Sequence, residues 1–123
     1  SLEGSPQTVE VRFDCYNNQL TTLEGSPQKL GGDFNCNNNQ LKDVKGFPER
    51  FYGEYISISD NPIEEIFNLF PGEKWAELPE SLNEHDPIRG SLVILQRLEQ
   101  CFYDLGLKIP ENIKFKNYEV REF

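Results

Sequence analysis

The sequence predicts an α/β protein, a coil of short repeats, each opened by a β-strand and closed at the C-terminal end by a helix. Three observations carry that prediction. A segment of about 21 residues is written nearly three times between Leu2 and Ile66, and self-similarity at a short fixed period marks stacked repeats. Each copy contains apolar-x-apolar-x-x-Asn-x-apolar: Phe13, Cys15, Asn18, Leu20; then Phe34, Cys36, Asn39, Leu41; then, one residue late, Ile56, Ile58, Asn61, Ile63. After Ile66 the period dissolves, and apolar residues recur at helical steps of three and four from Ile88 to Leu105.

Within a repeat, alternation at Phe13 and Cys15 predicts a short strand with those side chains inward. The Asn that follows turns the chain, and its amide offers both donor and acceptor to backbone groups left unpaired at the bend. A column of Asn18, Asn39 and Asn61 is expected to satisfy buried polar groups that otherwise cost about 1–3 kcal/mol each. Leu23, Val44 and Ile66 close each turn inward. Gly25-Ser26-Pro27 and Gly46-Phe47-Pro48 carry the return, because glycine permits positive φ and proline presets φ without needing a donor. The return is expected to be extended or 3₁₀.

Beyond the repeats, Phe67, Leu69, Phe70, Trp75, Leu78 and Leu82 predict a turn and short helices. Asp86-Pro87 reads as a helix start, a side-chain acceptor followed by proline at the first helical position, with Ser91 as the alternative because Gly90 weakens the first turn. Ile88, Leu92, Leu95, Leu98, Phe102 and Leu105 then form the stripe of one helix, stopped by Gly106 and Pro110. A repeat coil cannot end with its core in water, so this helix is the expected lid over Ile56, Ile58 and Ile63. The alternating segment from Ile113 to Val120 predicts an added strand or hairpin. The reading is one structural domain, with the repeats over 1–66 and the cap over 67–123.

Composition narrows the function class. The chain of 123 residues carries a net charge of −9, which favours protein partners with basic surfaces and supplies no Lys/Arg patch for phosphates. No apolar run approaches the ~20 residues of a membrane helix, and no leader pattern opens the chain, so a soluble protein is expected. The chain starts midway through a repeat, and further residues are expected upstream. Three cysteines make no disulfide framework. Cys15 and Cys36 share one repeat position with Ile58, so reduced thiols acting as apolar filler are favoured over a Cys15–Cys36 bridge.

The strand-plus-Asn core resembles the leucine-rich repeat, LxxLxLxxNxL, over roughly Leu2 to Ile66, with Phe and Cys at usual leucine positions and a very short convex side. That resemblance implies a right-handed solenoid with a parallel sheet on one face, one strand per repeat. The phrases Leu23-Glu24-Gly25-Ser26-Pro27 and Gly31-Gly32-Asp33-Phe34-Asn35-Cys36 also resemble small repeat proteins of large tailed bacteriophages. The segment from Ser81 to Glu99 resembles the unit that closes them. This second resemblance implies a phage-encoded protein working in the cytoplasm of an infected bacterium.

No constellation for catalysis stands out. His85 is the single histidine, far in sequence from Cys15 and Cys36, and reads as a solvent-facing turn residue. Glu64-Glu65 and Glu77 with Glu80 lie in segments that read as surface, and Gly31-Gly32 has no Lys-Ser/Thr behind it to cradle phosphate. No CxxC, HxxxH or calcium-loop spacing occurs, so neither metal nor cofactor is expected.

What remains is the outward row of each strand: Arg12, Asp14 and Tyr16; Asp33, Asn35 and Asn37; Tyr55, Ser57 and Ser59. Tyr and Arg dominate binding hot spots, and in larger leucine-rich-repeat proteins this concave face is the usual binding surface. Three strands ~4.8 Å apart and four residues long cover roughly 200 Å², against about 800 Å² per partner in a standard interface. A stable partner must therefore also touch the cap or the turns, or the protein must pair with itself through the N-terminal edge strand around Arg12. The expected function is a non-enzymatic protein-binding module that engages, and inhibits, a host protein. The alternatives are a virion assembly component and an acidic DNA mimic.

Overall fold

The computed structural model describes residues 8–9, 12–15, 18–24, 29–30, 33–48, 50–51 and 56–122. The architecture is mixed α/β. Six short strands come first, in pairs: β1 (Thr8–Val9) and β2 (Arg12–Asp14), β3 (Lys29–Leu30) and β4 (Asp33–Asn35), β5 (Arg50–Phe51) and β6 (Ile56–Ser57). They form two three-stranded parallel sheets, β1-β3-β5 and β2-β4-β6. The expectation of one strand per repeat is thus corrected to two. The return, expected to be extended or 3₁₀, leads into extended pairs at Thr8–Val9, Lys29–Leu30 and Arg50–Phe51 that bond to their counterparts in the next copy.

The register follows the sequence period. Arg12 faces Asp33 and Phe13 faces Phe34, while Phe34 faces Ile56, one residue further on, where the third copy arrives late. Equivalent residues therefore stack, and Asn39 and Asn61 do the work expected of the stacked asparagines. Asn39 Nδ2 donates to the carbonyls of Cys15 (2.9 Å) and Cys36 (3.1 Å), and its Oδ1 accepts the Leu20 N–H. Asn61 repeats the pattern one copy on, with Cys36, Ile58 and Leu41. Asn18, in the first copy, is exposed, and its side-chain amide donates to Cys15 O within its own turn.

The same stacking overturns the thiol expectation. Cys15 and Cys36 fall side by side just beyond the β2–β4 ladder with Cα atoms 4.7 Å apart, inside bridging range, and they are joined as a disulfide. Gly46, at φ +80°, makes the return turn, and a Cβ there would run into the backbone of Leu23 and Glu24.

After the repeats come α1 (Glu64–Phe67), a 3₁₀ turn over Gly72–Lys74 and α2 (Leu78–His85). The long helix expected from Asp86 is corrected next. Asp86 ends α2 rather than starting a helix: it adopts φ +50°, its N–H bonds Leu82 O, and Pro87 blocks continuation. Ile88–Arg89 (β7) and Leu92–Ile94 (β8) then form an antiparallel hairpin across Gly90-Ser91, with Gly90 at φ +60° as a two-residue hairpin loop demands. The run Leu92-Val93-Ile94-Leu95 is continuously apolar, and such a run fits strand and helix equally on periodicity. Helix α3 is therefore shorter than the stripe, Leu95–Asp104. It stops as expected at Gly106, whose N–H bonds Tyr103 O while Leu107 N–H bonds Phe102 O, a Schellman closure.

The core is one continuous cluster from Cys15 to Tyr118, containing Ile58 and Ile63 of the last repeat together with Leu98, Cys101 and Phe102 of α3. Aromatic rings run through it: Phe34 against Phe47, Phe47 against Phe67, Phe67 edge-on to Trp75, and Phe70 stacked on Phe102 at 4.2 Å. The tail returns to the repeats. The Glu65 carboxylate accepts the N–H groups of Lys116 and Asn117, the Tyr118 hydroxyl donates to Lys42 O, and β9 (Glu119–Arg121) adds to β8 in parallel. Among the described residues no helix is long and apolar enough to cross a membrane.

Candidate protein-binding face

The β2-β4-β6 sheet places the expected outward row in three sets. Alternation along β4 buries Phe34 and leaves Asp33 and Asn35 half-buried at the surface. Asp14, opposite Asn35 in the register, is exposed, and so is Ser59 beyond β6. These four residues present a polar, acid-bearing strip one strand wide on either side of Asn35.

Asn37 and Ser57 belong to the scaffold. Ser57 is buried, which corrects its expected outward exposure: Asn37 leans over it and accepts from Ser57 Oγ and from Ser59 N–H. Asn37 N–H in turn donates to Asn35 Oδ1 at 3.2 Å. The Asn37 side chain thus ties adjacent repeats together. For Arg12 the backbone is described and pairs with Asp33, while its side chain, and all of Tyr16 and Tyr55, lie outside the described residues.

A second concentration of polar groups was not anticipated. His85 ends α2 instead of standing in a solvent-facing turn, and Nε2 pairs with Asp104 Oδ2 of α3 at 2.5 Å, its side chain about one-fifth exposed (21%). Ser81 Oγ donates to the same carboxylate oxygen at 3.2 Å. Glu84, His85 and Asp104 present ligand-capable atoms within 4.8 Å of one another, beside a hollow of about 290 Å³ walled also by Glu77, Glu80 and Leu105. Chemically, Asp104 acts as a clamp between the two helices. Ser81 and His85 converge on one acceptor, an arrangement that orients both but does not set the imidazole to take the Ser81 proton. One sequence signal could have found the pairing. Ser81 and His85 are four apart on one helix face, so a single residue on a facing helix can meet both.

Cys101 lies buried near Ser81 O, and burial first, with Asp104 and Glu84 adding, pushes its thiol up to about 11. That keeps it protonated and unreactive. On the far side of α3, Leu95, Pro110, Ile113, Phe115, Tyr118 and Val120 line a groove of about 740 Å³ between helix and tail.

Comparison with protein-family models, curated proteins and solved structures finds no match to this chain.

Proposed function

We propose that the chain is a non-enzymatic protein-interaction module, built as a short leucine-rich-repeat solenoid with a C-terminal cap. On this reading it is phage-encoded and engages, and inhibits, a host protein through a basic surface. The observation that carries the proposal is the register that sets Asp14 opposite Asn35, with Asp33 two residues before Asn35 on the same strand and side. A parallel stack repeats a side-chain row at the strand spacing, and a regular polar row is the form a recognition surface takes on such a scaffold. The net charge of −9 sets the sign of its partner. The two-strand repeat departs from the usual leucine-rich pattern on its return side, where β1, β3 and β5 pair as well.

The test is capture from bacterial lysate with the wild-type chain and with a double variant, Asp14→Lys with Asp33→Lys. A discrete partner retained by the wild type at low salt, lost by the variant and weakened by added salt, supports the reading. Equal retention by both overturns it.

A second reading rests on the edges. β1 and β2 are terminal strands in their sheets, each pairing on one side among the described residues, so a second copy could extend both sheets at that edge. A monomeric mass by light scattering at high concentration would exclude it.

A further inference from the structure

The two repeat junctions are built differently. At the second, the matching position holds the buried Ile58, which cannot form a covalent bridge; at the first, Cys15 is covalently joined to Cys36. The bond sits at the outer end of both sheets. β1 and β2 are terminal strands, held by ladders two and three residues long, whereas the other end of the stack is covered by the cap and its aromatic core. Hydrogen bonds across that junction include Cys15 N–H to Asn35 O, Leu23 N–H and Thr22 Oγ to Lys45 O, Gln40 N–H to Leu20 O, and the Asn39 amide to Cys15 and Leu20.

We propose that the Cys15–Cys36 disulfide is a redox-controlled staple that sets how firmly the first repeat, and with it Asp14, is held on the rest of the protein. The reductant class is a dithiol, small or protein-borne. One thiolate attacks the Cys15 sulfur on the terminal strand, the S–S bond breaks, and Cys36 leaves as a thiolate that takes up a proton. The second thiol of the reductant then resolves the mixed disulfide, so that two electrons and two protons pass to the protein and the reductant becomes a disulfide. The thiols left behind still fill the place that Ile58 fills in the third repeat, so reduction loosens the first repeat without emptying the core. The bridge closes a loop with a sequence separation of 21, and losing a closure of this size raises the open population roughly 100-fold.

The consequence for partner binding rests on the face proposed above, but the staple itself does not, and amide hydrogen exchange on the full chain tests it without any partner. Adding a dithiol should speed exchange at the Cys15, Leu20 and Leu23 amides by roughly 100-fold. The amides of α3 should stay unchanged, showing that the cap remains folded. A Cys15→Val variant should exchange like the reduced protein at these sites and ignore the reductant. Equal protection at Cys15, Leu20 and Leu23 with and without dithiol overturns the proposal. So does finding three titratable thiols in denatured, air-oxidised protein.

Discussion

The side-chain nitrogen of Asn39 donates to the carbonyl of Cys15, 24 residues earlier, and so carries a polar group of one repeat across the core of the next. Since the same amide also serves Cys36 and Leu20, removing it strands up to three buried backbone groups at once. Asn39→Ala is therefore expected to cost about 3 kcal/mol, at ~1–3 kcal/mol per orphaned group with partial rescue by water. Asn61→Ala should match it, whereas Asn18→Ala, at an exposed site, should cost under about 1 kcal/mol. Denaturant melts of the three variants rank them; equal costs would contradict the ladder.

Two glycines make a controlled comparison. Gly46 combines a left-handed backbone with the near approach of Leu23 and Glu24, so Gly46→Ala should destabilise by more than about 2 kcal/mol. Gly72 opens a 3₁₀ turn with nothing around its Cβ direction, and Gly72→Ala should be neutral or stabilise by up to about 1 kcal/mol. Thermal midpoints of the pair decide this directly.

The tail is held by a charge-assisted clamp. Glu65 accepts two backbone N–H groups, and Glu65→Ala removes both acceptors, with an expected loss of about 2 kcal/mol. Tyr118→Phe removes only the bond to Lys42 O and should cost about 1 kcal/mol. In hydrogen exchange the amides of β9 should open first in both variants, because β9 reaches the rest of the fold through this clamp and β8. Unchanged β9 protection in Glu65→Ala would refute the clamp.

Alkaline pH should weaken the fold in a defined window. Burial lifts the Cys101 thiol to about 11 from its ordinary 9.0, so the folded chain keeps its proton where the unfolded chain releases it. Below pH 9.0 the two states hold that proton alike and the contribution is constant; between there and about 11 stability falls, by about 2–3 kcal/mol in full. Tyr118 acts with the same sign above 10.0, its phenol raised first by burial and then by Asp43 and Glu65. Thermal midpoints should be flat up to pH 9 and decline beyond it, less steeply in Cys101→Val. A rise above that pH would refute the assignment.

The sequence by itself determined whatever depends on the repeat or on one local turn. The register of Phe13 opposite Phe34, the inward Leu23, Val44 and Ile66, the Asn39 and Asn61 ladder and the stop at Gly106 were all legible, since each follows from period and residue chemistry. The polar row at Asp14, Asp33 and Asn35 was legible for the same reason. Only the tertiary structure decided the rest. Whether Leu92-Val93-Ile94 joins a helix or a hairpin turned on the αL conformation of Asp86 and on a strand arriving from residues 119–121. Whether Cys15 and Cys36 bridge turned on a Cα separation set by the stack. Ser57 sank beneath Asn37 and His85 met Asp104 because side chains from separate elements closed on them. Such contacts are long-range, and no local propensity or short period encodes which partner will be there.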